Sequence, residues 1–195
     1  MESIFGILTS ILVGVSLSAS CGFRVFVPLL VMSMAAKAGL LQMAEGWEWV
    51  GSWPALITLG VASGTECVAF YIPVVANLLD TIATPAAVVA GTIATAACVS
   101  DMHPLLKWSA AIIAEGGIAG TIQVATAGTR WTSTITTGGL TDFVVATLEL
   151  VMSFGLSVLA ILVPIVAGFV LILLGIVAFR LWMRYRSRQT AAFGG

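Results

Sequence analysis

The chain has 195 residues, 59% of them hydrophobic and only 9% charged, with a formal net charge of −1 and a mean hydropathy of +1.11. A soluble domain carries about 25% charged residues, so this chain cannot cover itself for water and is read as an all-α, polytopic integral membrane protein. At about 20 residues per crossing the ceiling is roughly seven, and loops lower it to about five or six. No nucleic-acid partner is expected.

The opening Met1-Glu-Ser-Ile-Phe lacks a basic region, and no cleavage site precedes polar sequence, so the first helix is expected to be retained. Residues 4–20 form a short first span studded with Gly14, Ser16, Ser18 and Ser20. Arg24 follows, then a second apolar piece over 25–36 with Pro28 near its start. Twelve residues rise only about 18 Å in a helix, too little for a hydrocarbon core of about 30 Å. The expectation for 4–36 is therefore a span followed by a re-entrant piece over 21–36.

Trp47, Trp49 and Trp53 beside Glu45 and Glu48 belong at a membrane–water interface. The next span, 55–75, holds Glu66 at mid-depth and the small pair Gly60-x-x-x-Gly64, a pattern that packs helices closely. Asn77-Leu-Leu-Asp80-Thr-Ile-Ala-Thr-Pro85 reads as a broken, polar-dotted stretch leading into 86–99. Asp101-Met-His-Pro104 is the clearest break. It divides the chain into a first membrane half, 1–100, and a second, 101–188.

The second half opens with 105–127, carrying Glu115 and Gly116-x-x-x-Gly120. Thr132-Ser-Thr-Ile-Thr-Thr-Gly-Gly139 is a poor lipid-facing helix and reads as a second re-entrant piece, 128–139. A span over 141–160 holds Asp142 and Glu149, and a last one over 161–179 is uncharged. It ends in Arg180, Arg184, Arg186 and Arg188 beside Trp182 and Tyr185, which puts the C-terminus on the cytoplasmic side. Residues 189–195 are read as a disordered tail or an expression remnant.

Small-x-x-Gly-x-Arg occurs at 19–24 and again at 125–130, each followed by a span with an acidic residue. Inverted repeats with broken helices are a recurrent transporter plan, and an inverted repeat is expected here. A charge at bilayer depth costs several kcal/mol unless paired or hydrated. Arg24, Glu66, Asp80, Glu115, Arg130, Asp142 and Glu149 are thus expected to pair inside the bundle, Arg24 with Glu66 and Arg130 with Glu149. Thr132, Ser133, Thr134, Thr136 and Thr137 offer dipoles to a partly dehydrated ligand, or bond between helices.

Enzymatic signals are thin. His103 is the only histidine, and there is no His-Glu-x-x-His, Gly-x-Ser-x-Gly or phosphate loop. Cys21, Cys67 and Cys98 form no Cys-x-x-Cys pair and read as small buried hydrophobes. No catalytic residue, metal or cofactor is expected.

Three motifs in order, Gly22-Phe-Arg24-Val-Phe-Val-Pro28, Tyr71-Ile-Pro73 through Asn77-Leu-Leu-Asp80 to Pro85, and Ala127-Gly-Thr-Arg130 to Gly139 with Glu149 beyond, are similar to a family of small bacterial membrane proteins known as domain of unknown function 4126. The resemblance covers nearly the whole chain and implies a membrane location and a common core, but no reaction. The chain departs from the family's polar pattern at Ala76, Asp142-Phe143, Ala146 and Leu150.

The expected function is transport: a channel or carrier passing a small solute or ion through a polar path of Arg24, Glu66, Asp80, Arg130, Thr134, Thr137 and Glu149. The rival is a non-transporting scaffold or assembly protein whose buried ion pairs are architectural. A homodimer in the bacterial inner membrane is expected, with the lipid bilayer as the other partner.

Overall fold

A computed structural model of the chain describes residues 4–99, 104–139 and 141–193. Every regular element among them is helical. They are α1 (Ile4–Cys21), α2 (Phe26–Lys37), a 3-10 turn (Glu48–Gly51), α3 (Trp53–Phe70), α4 (Pro73–Cys98), α5 (Pro104–Ala110), a π-helical segment (Ala111–Gly116), α6 (Gly117–Thr137), α7 (Asp142–Leu162) and α8 (Pro164–Phe193). Three of them, α3, α4 and α7, are long and apolar enough to cross a membrane. Leu8–Cys21, Phe26–Lys37 and Pro164–Val177 are shorter apolar helices.

The helix ends follow local chemistry. Ser52 caps α3 through its Oγ, which accepts from the Ala55 amide at 3.3 Å, and Pro54 sits in the first turn, where its missing N–H costs nothing. Pro73 and Pro164 open α4 and α8 in the same way. Gly138 closes α6 in the left-handed region at φ 64°, which an L side chain resists.

Helix α1 is the axis of the bundle, packed on α4, α7, α8, α6 and α2. Leu17, Ser16, Ser18 and Ser20 on it are wholly buried. Small residues let its neighbours approach: a Cβ on Gly14 would stand 3.1 Å from Thr95 Cγ2 of α4, and one on Gly168 would stand 2.9 Å from Leu12 Cδ2. Hydroxyls stitch the same seam, Ser153 donating to the Ser20 carbonyl at 3.1 Å.

Two segments read as broken are continuous helix. Residues 77–85 lie inside α4, which runs through Pro85; a proline removes one amide, and the remaining bonds and close packing on α1 and α6 carry the helix past it. Residues 128–137 complete α6. Its hydroxyls turn inward on their own backbone, Thr132 bonding the Gly128 carbonyl at 2.9 Å, Thr136 the Thr132 carbonyl at 2.8 Å and Thr137 the Ser133 carbonyl at 2.8 Å. Satisfied in this way, a Thr-rich run stays helical.

The small pairs differ. Added Cβ atoms at Gly116 and Gly120 would press on Thr92 Oγ1 at 2.8 Å and Val88 Cγ2 at 2.7 Å, so this pair seats α4 closely. Gly60 meets Leu30 Cδ1 of α2 at 4.0 Å and Gly64 nothing within 4 Å, so among the described residues that pair makes no close helix approach. The expected half-boundary, together with Asp101 and His103, lies outside the described residues, as do the side chains of Glu115, Arg184, Arg186 and Arg188. Of the 189–195 tail, the part to Phe193 continues α8.

Candidate functional site

The site begins at the break between α1 and α2. Gly22 allows it, because α6 crosses there: a Cβ would fall 2.6 Å from the Ala119 carbonyl oxygen and from Ile122 Cβ. Helix α2 then starts with no side chain of its own to cap it, and its first amides need acceptors. Glu66, from the buried face of α3, supplies them. Its Oε1 accepts from the Val25 amide at 2.7 Å and its Oε2 from the Phe26 amide at 3.0 Å. The carboxylate thus sits at the positive end of a helix. The expected Arg24–Glu66 ion pair is corrected: no direct pair between them occurs among the described residues. The Val25 and Phe26 amides hold Glu66 instead.

Arg24 points the other way, into the bundle, and is 1% exposed. Its Nη2 donates to the Ala146 carbonyl of α7 at 3.0 Å and lies 3.5 Å from Glu149 Oε2. Arg130, near the middle of α6 and fully buried, is held far more tightly. Its Nη1 binds Asp80 Oδ1 of α4 and its Nη2 binds Glu149 Oε2 of α7. Glu149 Oε2 therefore lies between the two arginines. Both guanidinium carbons stand over the Phe70 ring, at 4.0 Å for Arg24 and 4.4 Å for Arg130, a placement in which the ring face attracts each cation. Gln123 Nε2 reaches Asp80 Oδ1 at 3.4 Å.

Several polar atoms of this cluster are buried without a hydrogen-bond partner among the described residues: Arg24 Nε and Nη1, Arg130 Nε, Asp80 Oδ2 and Glu149 Oε1. An unmet polar group costs about 1–3 kcal/mol, and more when charged. The imbalance is greatest at Arg24, whose Nε and Nη1 carry three of the five guanidinium N–H donors.

A second polar group lies beside the first. Asp142, in the first turn of α7, is bonded through Oδ1 to Ser133 and through Oδ2 to Thr134 Oγ1 at 2.7 Å. Asn77 Nδ2 donates to the same Thr134 oxygen at 3.3 Å. Thr134, half-buried, thereby joins the Asp142 group, whereas Thr137, also half-buried, pairs with the exposed Thr141 hydroxyl at 3.0 Å, at the end of α6.

Of the residues singled out by sequence, the fold gathers Arg24, Asp80, Arg130 and Glu149 into one cluster, sets Glu66 at its edge through α2, links Thr134 to it through Asn77 and α6, and leaves Thr137 apart. Phe70 and Gln123 were missed. Helical spacing carries the signal for both: Phe70 is four residues after Glu66, and Gln123 is seven before Arg130, the same interval that separates Asp142 from Glu149.

Two cavities flank the bundle. One of about 770 Å³ opens between α1, α6, α7 and α8 and is lined by apolar groups such as Phe23, Ile122, Met152 and Leu171. Another of about 480 Å³ lies between α4 and α6, beside Val88, Gly116 and Gly120. Neither is lined by the clustered charges.

No curated protein and no solved structure matches the chain. A family profile described as domain of unknown function (DUF4126) matches residues 11–184. With that match spanning most of its length, the chain belongs to the DUF4126 family.

Proposed function

We propose that the protein is a multi-pass membrane protein of five or six crossings that passes a small solute or ion by way of the polar cluster between its two halves. The observation that carries this reading is the cross-connection at its centre. Arg24, from the first half, reaches Ala146 and Glu149 of the second, and Arg130, from the second, reaches Asp80 of the first. A charged cluster with unmet donors and acceptors is costly to keep for packing alone, and intramembrane ionisable groups commonly mark solute pathways.

The exchange between halves also supports an inverted repeat, with Asp80 and Glu149 as counterparts. The two arginines differ in backbone setting, one in a helix break and one within a helix. Gly60 and Gly64, open on α3, support a homodimer through that helix. The arginine-rich end of α8 supports a cytoplasmic C-terminus in a bacterial inner membrane.

The scaffold reading has its own support, in the near-complete pairing of Arg130 and in the two flanking cavities, which the charges do not line. Single cysteines at positions 63, 66 and 134, in a background without Cys21, Cys67 and Cys98, separate the two. Each folded variant is treated from either side of the membrane with an impermeant thiol reagent. Passage predicts labelling at 63 or 66; a sealed interior at all three positions would decide for the scaffold.

A further inference from the structure

We propose that the apolar groove between α1, α6, α7 and α8 holds an acyl chain of an anionic phospholipid, with the headgroup at the arginine-bearing end of α8. The groove is a recess of about 770 Å³, walled by Phe23, Ile118, Ile122, Met152 and Leu171. Glycines keep it open: a Cβ added at Gly117 or Gly175, both of which line it, would meet nothing within 4 Å. Its α6 wall runs from Gly117 to Thr129. Twelve steps of helix rise about 18 Å, close to half of a hydrocarbon core of about 30 Å, the depth that the chains of one leaflet fill.

One end of the groove is polar. Thr126 and Thr129 lie there, each hydroxyl donating at 3.0 Å to its own helix, to the Gln123 and Ala125 carbonyls, so that their oxygens can still accept from a headgroup hydroxyl. The arginines of α8 arrive at the same end. Helices α1 and α6 run in one direction, since Gly22 abuts Ala119 and Ile122 while Arg24 and Arg130 converge on Phe70. Helix α7 runs against α1, with Ser153 on Ser20 and Ala146 on Arg24, and α8 turns back from it after Val163. Helix α8 therefore rises toward the Thr129 end. The positions of Trp182 and Arg186 come seven and eleven residues after Gly175, two and three turns on, and so share the helix face that Gly175 turns to the groove. Trp and Tyr, here Trp182 and Tyr185, belong at headgroup level, and arginines at that level attract anionic lipid. Charge complementarity thus selects an anionic headgroup, and the apolar walls select a lipid over a soluble anion. The inference goes beyond passage and rests only on the membrane location.

The test is lipid retention. Purified protein is placed in mixed micelles holding equal amounts of phosphatidylglycerol and phosphatidylcholine with identical chains, and the lipid it keeps is identified by native mass spectrometry. Wild type is expected to keep lipid, phosphatidylglycerol over phosphatidylcholine by about fivefold, the worth of one arginine near an anionic surface. Arg186→Gln is expected to lose that preference and still keep lipid. Arg180→Gln is the control: Arg180 is exposed and lies two and a half turns after Leu171, on the opposite face of α8, so the preference should persist. Gly117→Leu combined with Gly175→Leu fills the groove from two sides where an added Cβ meets nothing. It is expected to lose both lipids and to melt no lower than wild type in lipid-free detergent. If that variant does not accumulate, Ala125→Leu, which narrows the α6 wall, is measured with the same expected loss. Absent retention, equal retention of both lipids by wild type, or unchanged retention with the groove filled overturns the proposal. A lipid-free dimer that the filled groove abolishes also overturns it, and assigns the groove to a second copy of the chain.

Discussion

Arg24 and Arg130 are reached through the same short pattern, a small residue followed three and five positions later by Gly and Arg, and they end in opposite electrostatic situations. Arg130 projects from an unbroken helix between α4 and α7, where each neighbour supplies a carboxylate. Arg24 projects from a helix break, and the carboxylate nearest in sequence logic, Glu66, is taken by the amides that the break exposes. Local backbone, not residue type, decides which arginine is satisfied. The consequence is a difference in setting: Arg130 ties α6 to α4 and α7, and Arg24 keeps Nε and Nη1 without a hydrogen-bond partner among the described residues.

The largest expected effect breaks the clamp. Arg130→Met leaves Asp80 and Glu149 buried without their shared cation, a change that costs about 3–5 kcal/mol. Arg24→Met removes one carbonyl bond, one cation–π contact and the looser 3.5 Å ion pair with Glu149, which keeps Arg130, about 1–3 kcal/mol together. Melting in detergent should therefore rank Arg130→Met well below Arg24→Met. A reversed order would mean that the two arginines had been assigned the wrong roles.

The two glycines preceding the arginines sharpen the contrast. Gly22→Ala drives a methyl into the Ala119 carbonyl and Ile122, an overpacking that costs about 1–3 kcal/mol. Gly128 has nothing within 4 Å and lies inside α6, so Gly128→Ala should stabilise by about 0.5–1 kcal/mol. Opposite signs in the same thermal assay are the expected result; equal signs would erase the distinction between break and helix.

Phe70 links the two regions, since both guanidinium groups stand over it. Phe70→Leu keeps an apolar side chain and removes both cation–π contacts, costing about 1–2 kcal/mol. In a double-mutant cycle with Arg24→Met the two losses should not add. Full additivity would show that the ring serves packing alone.

Much of this fold was legible in the chain. The sequence places a first helix at 4–20, a short apolar helix after Arg24 at 25–36 and a separate last helix at 161–179, close to α1, α2 and the apolar part of α8. The continuity of α4 and α6 was not, because composition marks Thr and Pro as helix-poor and does not reveal that i−4 carbonyls satisfy the hydroxyls of Thr132, Thr136 and Thr137. The Arg130–Glu149 contact was legible from the cost of burying charge. Glu66 was misassigned because charge pairing weighs side chains alone, and the competing partner was a pair of backbone amides whose exposure depends on where α2 begins. Phe70 escaped notice because a lone aromatic beside a glutamate looks like ordinary core.

The most direct test of the central claim, that solute passes by way of Arg24, is anion efflux from proteoliposomes. Chloride and formate release is followed for wild type and Arg24→Met at matched protein density, with melting temperatures confirming that both are folded. The account predicts efflux from wild-type vesicles and efflux at the protein-free level with Arg24→Met. Equal rates in the two, or wild-type vesicles as tight as empty ones, would contradict it.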